Sequence, residues 1–104
     1  MAKPIKMRAT LKDGVTEVRV LMQHVMETGR RKDEEGKLVP AWYITDVTVW
    51  HEKRVVLEGQ FGTAVSKDPY LIFRFNGGNP GDRVSIRWQD NTGDSALGET
   101  EIVQ

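Results

Sequence analysis

Three side chains with metal-binding potential begin a segment between two strand-like stretches of the chain. They are His24, Met26 and Glu27. An imidazole, a thioether and a carboxylate could together hold a soft or borderline metal ion. One histidine and one methionine make too few ligands for a metal ion. The other histidine, His51, lies far along the chain in the predicted strand 42–52. The sequence therefore favours a structural role for these side chains, and we predict no metal site.

The same segment continues into a dense run of opposite charges. Arg30, Arg31 and Lys32 precede Asp33, Glu34 and Glu35. A basic triplet is a possible site for a phosphate or sulfated anion. The adjacent acidic triplet screens its field, and surface ion pairs contribute little to stability. A solvated loop is the simpler interpretation.

The sequence offers little for catalysis. No serine lies in a Gly-x-Ser-x-Gly context, and Gly77-Gly78 lacks the Lys-Ser/Thr of a phosphate-binding loop. Asp90 and Asp94 could bind calcium, but a hairpin turn explains them more simply. There is no cysteine, which excludes a thiol nucleophile, a thiolate metal site and a disulfide. We predict no catalytic residue and no cofactor.

Size and charge narrow the classes of protein further. The chain has 104 residues with 15 basic and 15 acidic side chains, and its formal net charge is zero. This length fits one domain over residues 1–104, and the charge balance gives no reason to expect a nucleic acid or an anionic membrane as partner. No stretch of about 20 apolar residues is present, and the first residues lack the apolar region of a secretory signal.

Short segments of alternating apolar and polar residues recur along the chain, separated by turns rich in Gly, Asn, Asp and Pro. Helical periodicity is absent. This pattern predicts an all-β, immunoglobulin-like antiparallel β-sandwich of about seven strands. The predicted strands cover residues 4–11, 16–23, 42–52, 55–61, 70–76, 84–89 and 97–103.

The longest predicted strand is unusually aromatic. We place Tyr43, Val47 and Val49 on one face, and Trp42, Ile44 and Trp50 on the other. Two interpretations stay open for Trp42, Tyr43 and Trp50. They either anchor a protein interface or complete a core that the second sheet covers.

Three motifs closely resemble the SoxZ family, a subunit of the thiosulfate-oxidation carrier complex. The most specific is His24-Val-Met-Glu-Thr-Gly-Arg-Arg-Lys-Asp33, which is followed by Gly36, Pro40 and Tyr43-Ile44. Lys67-Asp-Pro-Tyr-Leu71 and the hairpin Trp88-x-Asp90-x-x-Gly93 are also similar, so the resemblance spans nearly the whole chain. Val25 departs from the family pattern, where proline is expected.

The resemblance implies a non-catalytic subunit that pairs with SoxY. That partner carries sulfur intermediates on a cysteine in a flexible, Gly-rich C-terminal arm, and other Sox enzymes contact the arm transiently. The resemblance also implies a periplasmic protein that is exported with SoxY, without a signal peptide of its own. We expect the interface to involve the 24–33 loop and the strand around Trp42. The residues expected there are His24, Met26, Glu27, Thr28, Gly29, Arg30, Arg31, Trp42, Tyr43 and Trp50.

Two other classes of function fit a small β-sandwich. One is a metal-binding redox protein, which would need more histidines and a cysteine than this chain has. The other is an adhesion or sugar-binding module that uses Trp42 and Trp50 on an exposed surface.

Overall fold

A computed structural model describes residues 3–104, in which the regular structure consists of seven β-strands. The strands are β1 Lys6–Lys12, β2 Val15–Leu21, β3 Ile44–His51, β4 Arg54–Gln60, β5 Tyr70–Asn76, β6 Arg83–Asp90 and β7 Ser95–Val103. Each lies within about two residues of its predicted position. No helix in this part of the chain is long and apolar enough to cross a membrane.

The strands hydrogen-bond in the order β4-β3-β6-β7-β1-β2-β5. All neighbours are antiparallel except β1 and β7, which pair in parallel over only Ala9↔Ile102 and Thr10↔Val103. At this short junction the sheet divides into two layers, β1-β2-β5 and β4-β3-β6-β7. The ring of His51 in β3 lies 5.0 Å from that of Phe75 in β5, although these strands are far apart in the sheet order. The layers therefore face each other, which confirms the predicted sandwich.

The core lies between the two layers because alternate side chains of each strand point inward. Val18 and Val20 of β2 and Val47 and Val49 of β3 are at most 1% exposed. Trp88 of β6 is the largest fully buried side chain, and it lies at the end of the core where β6 meets its hairpin. This end of the sandwich carries the features that the sequence marks as unusual.

The predicted faces of β3 need one correction. Ile44 is fully buried with Val47 and Val49, although it was expected on the opposite face with Trp50. The pairing of β3 with β6 shifts register between Ile44 and Asp46. An extra residue at such a bulge reverses the alternation of side chains, so Ile44 joins the core.

The turns follow their predicted chemistry. Asp13 and Gly14 both have positive φ, 52° and 78°, as a tight two-residue hairpin between twisted strands requires. In the long loop, the backbone N–H of Asp33 donates to the carbonyl of Lys37 at 2.8 Å, and that of Val39 donates to Arg31 at 2.8 Å. The tip of the loop therefore forms a small hairpin.

Candidate interaction site at one end of the sandwich

The 24–33 loop is fixed where it leaves β2. The backbone N–H of His24 donates to Oδ1 of Asp68 at 3.0 Å, and the N–H of Asp68 donates back to the carbonyl of His24 at 2.9 Å. At the next residue of the 67–71 motif, the carbonyl of Pro69 accepts the N–H of Met22 at 2.9 Å. The 24–33 loop and the 67–71 motif, which are far apart in the sequence, are thus joined through main-chain and carboxylate hydrogen bonds.

The buried ring of His24 has both nitrogens engaged. Nδ1 accepts the backbone N–H of Met26 at 3.0 Å, so Nδ1 carries no proton. The proton of the neutral ring is then on Nε2, which donates to Oδ2 of Asp90 at 3.0 Å. The ring therefore links the start of the loop to the end of β6.

Asp90 is the centre of this network. Its Oδ2 accepts hydrogen bonds from Nε2 of His24 at 3.0 Å and Nε1 of Trp42 at 2.7 Å. Its Oδ1 accepts the hydroxyl of Thr92 at 2.6 Å and the backbone N–H groups of Thr92 and Asp94 at 2.9 and 3.0 Å. Burial acts to raise the pKa of this carboxyl, but the hydrogen bonds from Thr92, His24 and Trp42 outweigh it and lower the pKa to about 2. Asp90 is thus a buried carboxylate with five donors.

Met26 connects the loop to the core in an unusual backbone conformation. It has a φ of 51°, which is uncommon for a residue other than glycine, and it is only 6% exposed. Its Sδ accepts the backbone N–H of Ile44 at 3.3 Å. The thioether therefore satisfies a buried donor at the bulged start of β3.

The middle of the loop pairs with the chain that enters β3. Glu27 and Trp42 exchange backbone hydrogen bonds of 2.6 and 3.0 Å, and the carboxylate of Glu27 accepts from Nε and Nη2 of Arg31 at 3.1 and 2.8 Å. Gly29 has a φ of 83°, and a Cβ at this position would lie 3.1 Å from Cβ of Ala41. A side chain at position 29 would disturb both the backbone and this contact.

Two tryptophans pack edge-on against His24. The ring centroids of Trp42 and Trp88 lie 5.4 and 5.1 Å from that of His24, with interplanar angles of 71° and 88°. Trp88 is buried, whereas Trp42 is 40% exposed, as is Val25. A cleft of about 350 Å³ opens beside them. Its lining residues are Lys3, Gln23, His24, Val25, Trp42, Lys67, Asp68, Trp88 and Asp94.

A protein-family model described as "Sulphur oxidation protein SoxZ" matches residues 5–101, nearly the whole chain. The chain belongs to the SoxZ family. No curated protein matches the sequence. The resemblance that the three motifs suggested is therefore confirmed, and the SoxZ match makes this chain a sulfur oxidation protein.

Most of the residues expected at an interface lie together in this SoxZ domain. Thr28 and Arg30 are exposed on the loop, where the hydroxyl of Thr28 accepts the N–H of Arg30 at 3.0 Å. Tyr43 is half-buried, and its backbone N–H donates to the side chain of Asn91 at 2.9 Å. Trp50 lies eight residues beyond Trp42, roughly 25 Å along an extended chain. Trp42 and Trp50 therefore do not form one aromatic surface.

The three side chains with metal-binding potential at the start of the loop all make hydrogen bonds within the protein. Both ring nitrogens of His24, the sulfur of Met26 and the carboxylate of Glu27 are engaged within the protein. Within residues 3–104, no group of three or more His, Cys, Asp or Glu side chains is placed to hold a metal ion. Asp90, considered above as a calcium ligand, has both oxygens occupied by protein donors.

The central role of Asp90 was not predicted, because a hairpin turn was the simpler explanation for this residue. A signal for it was present. Val84, Ile86 and Trp88 alternate along the inward face of β6, and the same alternation places Asp90 on that face. A carboxylate at an inward position must find donors, since an unpaired buried charge is costly. Trp88 was likewise assigned to a strand and not to the site.

Proposed function

We propose that this protein is the non-catalytic subunit of a SoxYZ sulfur-carrier complex in thiosulfate oxidation. It pairs with a SoxY-like chain and helps to present the cysteine-bearing arm of that partner to the Sox enzymes. The complex works in the periplasm, and this subunit is exported with its partner. The observation that carries the proposal is the match of the SoxZ family model to residues 5–101.

The composition of the chain supports a non-catalytic role in which the partner chain carries the sulfur. Covalent sulfur carriage on a protein needs a thiol, because the thiolate is the nucleophile that forms and exchanges sulfur–sulfur bonds. This chain contains no cysteine. A sulfur oxidation protein of this composition therefore depends on another chain for the sulfur-bearing residue.

The end of the sandwich supports the role of a docking subunit. Trp42 and Val25 are each 40% exposed, yet Trp42 is held by its indole bond to Asp90 and by two backbone bonds to Glu27. An aromatic side chain that is already fixed loses little conformational entropy when a partner covers it. We place this surface, with the exposed loop residues beside it, at the contact with the SoxY-like chain.

Co-expression with a SoxY-like chain, followed by size-exclusion chromatography with light scattering, tests the proposal. A stable 1:1 complex is expected, together with self-association of the lone chain through its uncovered apolar surface. A monomer that ignores the partner contradicts the proposal. Trp42→Ala should weaken the complex, whereas Leu97→Ala, which alters an exposed side chain on β7, should not. Equal effects of the two substitutions would place the contact elsewhere.

A further inference from the structure

The register of β1, β2 and β5 gathers basic side chains on the outer face of one layer. Lys6 pairs with Leu21, which pairs in turn with Tyr70. In the next row, Arg8 pairs with Arg19, which pairs with Ile72. We call this surface the basic face. Its outward side chains are Lys6, Arg8, Thr10, Lys12, Val15, Glu17, Arg19, Leu21, Tyr70, Ile72, Arg74 and Asn76.

The basic face carries five cations and a single carboxylate, Glu17. The outer face of the other layer has the opposite balance, with two cations, Arg83 and Arg87, and four carboxylates. Those carboxylates belong to Asp46, Glu58, Glu99 and Glu101. Since the whole chain has no net charge, folding separates charge that the sequence intersperses. The field outside the basic face is therefore positive, although the protein is neutral.

The concentration of charge works against stability. Arg8 and Arg19 are direct cross-strand neighbours, and like charges in that position are destabilising. Glu17 binds both Arg19 and Arg74 at 2.7 Å, which leaves Lys6 and Arg8 without an ion pair among the described residues. Packing of the sandwich does not require this arrangement, because every one of these side chains points away from the core.

Apolar side chains lie among the cations. Tyr70 is 55% exposed and Ile72 is 47% exposed, and both belong to β5, the last strand of the sheet. Three strands of seven residues present an area of roughly 10 by 20 Å. This size fits a weak, transient protein contact, since obligate interfaces are larger and more apolar.

We propose that the basic face is the docking surface for an acidic patch on a protein that visits the assembled carrier. The inference rests on the proposed function and adds a second contact, separate from the one made with the SoxY-like chain. Carboxylates on the visitor pair with Lys6 and Arg8, while its apolar side chains cover Tyr70 and Ile72. A nucleic acid fits less well, because Glu17 at the centre of the face repels phosphate.

Electrostatic docking of this kind controls the rate of association more than the final affinity. It suits a carrier that must meet several enzymes in turn and leave each one. The association rate constant should therefore fall steeply with ionic strength, because salt screens the attraction between exposed charges.

The test measures association of each purified Sox enzyme of the same organism with the assembled complex, by surface plasmon resonance between about 20 and 500 mM salt, a range that spans strong screening. The variant is Lys6→Gln with Arg8→Gln. The matched control is Lys53→Gln with Arg87→Gln, which removes two exposed cations that lie outside the basic face. Anionic phospholipid vesicles and a DNA duplex are tested as alternative ligands.

For at least one enzyme, the variant should lower the low-salt association rate constant by roughly fivefold to tenfold, with little change in the control. The inference is overturned if no enzyme shows salt-dependent association, if both variants behave alike, or if only vesicles or the duplex lose binding. Size-exclusion chromatography of the complex comes first. Failure to assemble rejects the proposed function and this inference with it, whereas a normal complex without the expected rate change rejects the inference alone.

Discussion

The ring of His24 and the carboxylate of Asp90 are joined by a 3.0 Å hydrogen bond between residues 66 positions apart in the chain. Both side chains are at most 2% exposed. The neutral His24 ring is the donor, because its other nitrogen accepts the N–H of Met26. The pair holds the start of the 24–33 loop against the end of β6. The same Oδ2 atom of Asp90 accepts the indole N–H of Trp42, so the pair also fixes the position of the exposed Trp42 ring.

Asp90→Asn should destabilise the protein by about 2–4 kcal/mol, because it breaks a buried hydrogen-bond network around a charge. Both oxygens of Asp90 face only donors, so an amide group in either orientation points its N–H bonds at other N–H or O–H groups. Urea unfolding measures the loss. Asp46→Asn, on an exposed position of β3, should change stability by less than about 0.5 kcal/mol. Similar losses in the two variants would contradict the central role of Asp90.

Acid should weaken the fold through the same carboxyl group. The pKa of Asp90 in the folded protein is about 2, below the ordinary value of 3.8. A lowered pKa means that the stabilisation is complete above the unfolded pKa and is lost as the pH falls through about 4 towards 2. The contribution is about 2 kcal/mol. Urea unfolding at pH values from 6 to 2 should show this loss in the natural protein, and a clearly smaller loss in Asp90→Asn. Parallel pH curves would assign the acid sensitivity to other groups.

Met26→Leu should destabilise the protein although the two side chains are of similar size. Leucine cannot accept the N–H of Ile44, so a buried donor is left unpaired, at a cost of about 1–3 kcal/mol. Amide hydrogen exchange should become faster at Ile44 than at Val49 in the same strand. Met7→Leu is the control, because Met7 is half-buried and packs against the core as an apolar side chain. Unchanged exchange at Ile44 would show that the sulfur contact is unimportant.

Gly29→Ala and Gly36→Ala should separate two effects in the long loop. Both glycines have positive φ, 83° and 81°, so each substitution costs about 1 kcal/mol in backbone strain. Only at position 29 would the added methyl group also crowd Cβ of Ala41, at 3.1 Å, whereas position 36 has open space. Thermal unfolding should therefore show a larger decrease for Gly29→Ala. The same decrease for both would mean that the loop moves to accommodate the methyl group.

Much of the fold could be predicted because strands and turns depend on neighbouring residues. Val84, Ile86 and Trp88 alternate with polar residues, as a half-buried strand requires, and Asp13-Gly14 is one of the Gly- and Asp-containing turns that separate the predicted strands. The prediction was wrong for the face of Ile44, because the bulge arises from the pairing of β3 with β6 and leaves no mark in the alternation itself. Of the predicted interface residues, Trp50 lies apart from the others, and their role as an interface stays a prediction.

By itself the sequence determined the seven strands, the tight turns, the absence of a thiol and membership of the SoxZ family. These follow from local periodicity, backbone preference, composition and a specific motif. Tertiary structure alone decided that Asp90 unites His24, Trp42 and Thr92, and that basic residues of three strands meet on one face. Both outcomes depend on which distant residues become neighbours, and strand pairing and layer packing set those distances only when the whole chain folds.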